Sequence, residues 1–183
     1  MCFQNLLQSI VSLELKRVAQ HWNKVRGSRM MPGWSDVRPS EISAQLPMIW
    51  IYKYDRAADL FTGRLAGDLI EHIFGKSFRG TPMTELYPKE DYPRLFGRCK
   101  RVVCEPALYR AEGMIFKHVD RFGRGERIMM PLAEDGIVGD AIFGATAYQT
   151  INGKPATNIP EDESWFPLST AKSEPSDDLP AGA

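Results

Sequence analysis

The sequence predicts an α+β domain built on one antiparallel sheet. Three observations lead there. An apolar stripe at helical spacing opens the chain, a two-strand pattern follows, and three further strand patterns come after a helical middle. Helices that fall between strand groups must pack on the face of a common sheet.

Phe3, Leu6, Leu7, Ile10 and Val11 form the first part of the stripe. After a small phase shift Leu15, Val18, Ala19 and Trp22 continue it. This predicts an amphipathic helix over 3–25, stopped by Gly27. The stripe has two readings: packing onto the chain's own domain, or a helix that forms a homodimer or protein-partner interface. Pro32, Gly33 and Pro39 keep the next stretch irregular.

Strand character begins at Pro47–Lys53 and returns at Leu60–Ala66, and the short connection predicts a hairpin. Asp68–Phe74 reads as a short helix with Asp68 as N-cap and Gly75 as its stop. A second short helix fits near Met83–Tyr87, and Glu90–Val103 is a longer one. Leu108–Val119, Glu126–Leu132 and Asp140–Tyr148 then read as strands, with turns at 121–125 and 134–136. The last of them is nearly all apolar or small, which suits a central strand.

From Ile151 onward proline, serine and acids dominate, so a tail over 151–183 is expected to be disordered. Trp165-Phe166 is its one candidate anchor. The expected organisation is a helix over 1–25, a folded domain over 26–150 and that tail.

The formal net charge is +0, which argues against a nucleic-acid partner bound by phosphate neutralisation. Residues 151–183 carry two lysines and six acids, leaving a net +4 on 1–150. Three cysteines (Cys2, Cys99, Cys104) without Cys-x-x-Cys spacing fit a reducing, cytoplasmic setting. No apolar run approaches the ~20 residues of a membrane span.

Catalytic chemistry finds no support. His21, His72 and His118 lack metal-ligand spacing. Cys99 belongs to an apolar stripe, the acid pairs fall at a helix start and a turn, and no nucleophile elbow or phosphate loop appears. Arg64 is the unusual residue, a guanidinium in mid-strand. It is either an outward or ion-paired arginine, with Glu71 in reach, or an anchor for an anionic ligand.

A series of short motifs carries a resemblance. Trp22, Arg29-Met-Met-Pro32, Asp36-Val-Arg-Pro39 and Leu46-Pro47 lead in. Arg64-Leu-Ala-Gly67, Phe74 to Gly80, Arg127 to Leu132 and Asp135-Gly136 follow. Over about residues 20–148 this series resembles the stand-alone bacterial PAS-like family of the PAS_5 type. The resemblance implies a PAS-like five-stranded antiparallel sheet with short helices on one face, after the N-terminal amphipathic helix. It also implies a non-catalytic sensory or signalling module that binds a small-molecule ligand, a protein partner or both.

A ligand-free dimerisation or adaptor domain is the alternative, and an unrecognised enzyme the third. The Asn-Cys-Arg-Phe motif of flavin-binding relatives is missing, and residues 90–103 hold no histidine for haem. Flavin and haem are therefore disfavoured, and the cofactor is unassigned. A cavity between sheet and helices would be lined from Arg64, His118, Met129 and Tyr148.

Overall fold

The computed structural model describes residues 2–118, 121–151 and 162–168, with residues 116–118, 121, 122 and 151 described as backbone alone. Six strands form one antiparallel sheet: β1 (Ile49–Asp55), β2 (Leu60–Ala66), β3 (Ala107–His118), β4 (Arg121–Leu132), β5 (Ala141–Ile151) and β6 (Asp162–Pro167). Their order across the sheet is β2-β1-β5-β4-β3-β6, so β5 is central, as its composition predicts.

Period-two alternation gives the sheet two different faces. Ile49 and Ile51 of β1, Ile128 and Met130 of β4, and Phe143 and Ala145 of β5 point to one side. Trp50, Tyr52 and Tyr54, Met129 and Ile142 point to the other. The second face carries three short helices, α3 (Asp68–Phe74), α4 (Met83–Leu86) and α5 (Tyr92–Cys104). This is the PAS-like α+β arrangement that the sequence predicts.

The first face carries the N-terminal segment, and here the single helix expected over 3–25 is corrected. It is two helices, α1 (Cys2–Ser9) and α2 (Leu13–Arg26). Ser12 caps α2, its hydroxyl accepting from the Leu15 amide at 3.3 Å. The phase shift in the stripe is this break. Phe3, Leu6, Ile10, Leu15, Val18 and Trp22 are all buried against the sheet, so the stripe serves the chain's own core. The Trp22 indole donates to the Pro131 carbonyl at 2.9 Å and fixes α2 over the end of β4.

Two boundaries also move. A 3₁₀ stretch runs over Pro39–Met48, so β1 begins at Ile49 rather than Pro47. The expected turn at 121–125 lies within β4, where Gly123 and Gly125 are in register with Phe116 and Gly113.

The tail is the larger difference. Asp162–Pro167 is not devoid of structure but adds β6 to the β3 edge, extending the expected five strands to six. Trp165 stacks beneath Arg101 of α5, 4.2 Å from the ring centroid, and packs on Tyr109. The buried Arg98 of α5 pairs with Glu163. These contacts lie far away in sequence, so the local acid-rich composition does not reveal them. Ile151 ends β5 and the Leu168 amide donates to the Pro106 carbonyl at 2.8 Å, while residues 152–161 and 169–183 of the expected tail lie outside the described residues.

Candidate functional site

The residues that the sequence puts forward do not converge. Arg64 is exposed on the edge strand β2, its guanidinium 4.4 Å from the centroid of Trp34. Trp34 packs against the α1–α2 side of the sheet, so Arg64 lies on the face opposite the α3–α5 interior. His118 ends β3 in register with Arg121, and its side chain lies outside the described residues.

Met129 and Tyr148 do share the α3–α5 face. Met129 is fully enclosed, whereas Tyr148 sits at the rim and donates to the Leu69 carbonyl of α3 at 2.8 Å.

The interior between the sheet and α3–α5 is mostly aromatic. Tyr52 packs on Phe78 at 4.7 Å between centroids and meets Trp50 and Phe61 edge-on. Trp50 lies opposite Gly144 on β5, where a Cβ would stand 2.3 Å from the indole. The missing side chain is what lets the ring lie flat on the sheet.

Into this apolar layer the strands insert a polar group that sequence reasoning passes over. Arg127 of β4 stands two residues before Met129 and shares its face, only 8% exposed. Its Nη2 donates to the Ile115 carbonyl at 2.8 Å, and its Nε makes a long 3.4 Å contact to Thr146 Oγ1. Thr146, the cross-strand partner of Arg127, also accepts from the Trp50 indole at 2.9 Å.

Three titratable groups feel the Arg127 charge. Burial raises the Tyr52 hydroxyl well above its ordinary pKa, and the adjacent Tyr87 hydroxyl raises it further while Arg127 opposes. That tyrosine pair does not reach good hydrogen-bond geometry, and the Tyr52 hydroxyl is buried without a well-formed partner. Burial likewise raises Tyr87 against the pull of Arg127. Burial pushes the Cys99 thiol up to about 12, with Arg127 and then Arg98 opposing. All three groups stay neutral at physiological pH, so none supplies an anion to Arg127.

The opposite face is electrostatically complete. Arg110 of β3, 5% exposed, donates through Nε to Glu126 at 2.7 Å and also pairs with Glu112. Burial opposes the Arg110 charge, but the hydrogen bonds to Glu126 and Glu112 outweigh it and raise its pKa. Glu126 also accepts from the backbone amides of Val11 (3.0 Å) and Ser12 (2.8 Å), which sit at the α1–α2 break. The carboxylate therefore pins the N-terminal helices to β4.

Among the described residues no cluster of three or more His, Cys, Asp or Glu could hold a metal ion. No helix of the described residues is long and apolar enough to cross a membrane.

The sheet order, the short helices cupped over one face and the enclosed interior between them define a PAS-like domain. A family model described as a PAS domain (PAS_5) matches residues 11–147, and the chain belongs to this PAS domain family. PAS domains are in general sensory or signalling modules. No curated protein and no solved structure matches the chain.

Proposed function

We propose that this chain is a non-catalytic PAS-type sensory module. It takes a small molecule into the interior between the sheet and α3–α5, and it passes that event to a protein partner through the N-terminal helices. The observation that carries the reading is Arg127, a guanidinium buried in that interior with neutral acceptors in place of a carboxylate. A buried charge left without a counter-ion lowers stability, and stability is commonly given up at functional sites.

The output route follows from alternation along β4. Arg127 faces the interior, and its neighbour Glu126 faces the other way and holds the Val11 and Ser12 amides. A ligand that shifts β4 acts on both. Val11 and Leu13 are 70% and 66% exposed at this junction and offer a partner an apolar contact next to the moving element.

Native mass spectrometry of protein purified from cells, together with thermal melts across a metabolite panel, tests the sensory reading. A co-purified small molecule or a ligand-dependent rise in melting temperature is expected. If neither appears, the interior is a closed core, and the ligand-free dimerisation or adaptor reading replaces this one. Light scattering then reads the oligomeric state directly, with Val11→Lys and Leu13→Lys, at exposed positions outside the core, as the test of the α1–α2 junction.

A further inference from the structure

We infer that the interior between the sheet and α3–α5 takes a small carboxylate with an apolar body, gripped by the Arg127 guanidinium. The inference rests on the sensory reading above and names the ligand class of the same site.

Three described arginines are more than nine-tenths buried: Arg98, Arg110 and Arg127. Two of them meet carboxylates, Arg98 through Glu163 and Arg110 through Glu126. Arg127 meets a backbone carbonyl and, at the limit of hydrogen-bond distance, a threonine hydroxyl. Guanidinium presents five N–H donors in a flat fork that matches a carboxylate with two parallel bonds. The two contacts to Ile115 and Thr146 leave donors on that fork unused.

Glu126 cannot neutralise Arg127. It leaves the opposite face of β4 and is committed to Arg110 and two backbone amides. The Tyr52 hydroxyl, buried without a well-formed partner, supplies a further donor for a second carboxylate oxygen. Trp50 and Phe78 pack on the Tyr52 ring, and Met83 and Met129 belong to the same buried apolar cluster. A phosphate or sulfate would leave that surface uncovered, whereas a carboxylate on an aryl or alkyl body satisfies both.

The test uses the full chain with two matched pairs of probes, benzoate against benzamide and hexanoate against hexanamide. Binding is followed by melting temperature and by the change in tryptophan fluorescence that Trp50→Phe removes, since the Trp50 indole shares Thr146 with Arg127. Each carboxylate should raise the melting temperature by several degrees and bind at least tenfold tighter than its amide. Arg127→Gln should cut carboxylate affinity at least tenfold while leaving amide binding unchanged. Tyr52→Phe should weaken the carboxylate severalfold, and it serves with Arg127→Lys as the deciding variant should Arg127→Gln fail to fold.

Amides that bind as tightly as their acids would overturn the carboxylate assignment and leave the sensory pocket standing. Undiminished benzoate binding by Arg127→Gln would do the same. Failure of all four probes to bind also overturns the assignment. The sensory reading is then decided separately, by whether a small molecule co-purifies with the protein.

Discussion

Arg110 and Arg127 make a controlled pair. They lie on adjacent strands, are equally buried, face opposite sides of the sheet, and differ in whether a carboxylate meets them. Replacing each by Met keeps an unbranched apolar stem and removes the guanidinium and its charge. In Arg110→Met the Glu126 carboxylate stays buried with only the Val11 and Ser12 amides to support it. Breaking one side of a buried pair costs about 3–5 kcal/mol. For a chain of this size that lowers the melting temperature by about 6–20 °C.

In Arg127→Met the loss is one charge-assisted bond to Ile115 and a long contact to Thr146, about 1.5–3 kcal/mol. Against this stands relief of a buried, uncompensated charge, worth several kcal/mol. The net change should lie within about 1 kcal/mol of zero. Thermal and urea melts followed by circular dichroism measure both variants, and Arg110→Met/Glu126→Gln should recover at least half of the Arg110→Met loss. If Arg127→Met falls as far as Arg110→Met, Arg127 is a structural pin whose neutral partners suffice, and its missing counter-ion marks no ligand site.

Further expectations follow from single contacts. Ser12→Ala removes the α2 cap and should cost about 1 kcal/mol by urea denaturation. Gly144→Ala places a methyl 2.3 Å from the Trp50 indole, so it should cost about 1–3 kcal/mol and shift the tryptophan emission. Trp165→Ala removes the Arg101 and Tyr109 contacts that seat β6, and hydrogen exchange along β3 should speed up. His21 is buried, its Nε2 accepting from the Arg38 amide at 3.1 Å, and burial lowers its pKa against the pull of Glu41. The unfolded chain then binds the extra proton first as pH falls through about 6.5, so stability drops on acidification below that value. His21→Gln should flatten the dependence of melting temperature on pH between 7 and 5.

The face assignments explain what the sequence reveals and what it hides. Arg64 attracts notice as a charge in mid-strand, yet Phe61 and Gly63 of β2 face the α3–α5 side, Gly63 against Phe78. Alternation therefore sends Arg64 to the other face, where it meets Trp34. Met129 is readable as an interior residue, and the same period of two places Arg127 beside it. That signal is present in the sequence, but it becomes useful only once the inward face of β4 is known. The break at Ser12 is visible too, as a phase shift with a capping residue at its centre. The β6 strand is different in kind. Trp165-Phe166 is legible as an anchor, but its partners Arg98, Arg101 and β3 stand fifty or more residues away, and nothing in the acid-rich segment says which surface receives it.

The coupling proposed across β4 has a magnitude that limits what the module can do. Releasing the Val11–Ser12 junction breaks the two amide hydrogen bonds to the buried Glu126 carboxylate, at about 1.5–3 kcal/mol each, while Arg110 stays paired with it. A ligand shifts such an equilibrium only by its differential affinity for the two states. At about 1.4 kcal/mol per tenfold, full release needs a preference on the order of 10²- to 10³-fold or more. A small carboxylate held by one guanidinium and one hydroxyl falls short of that. The response that fits these energies is a local shift of the α1–α2 junction with the helices still docked, read by a partner at the exposed Val11 and Leu13. Glu126→Gln keeps an acceptor for the two amides and removes the charge, which lowers the threshold. In that variant ligand-dependent hydrogen exchange at Val11 and Ser12 should exceed that of the wild type. Equal exchange in both would mean that the two faces of β4 act independently.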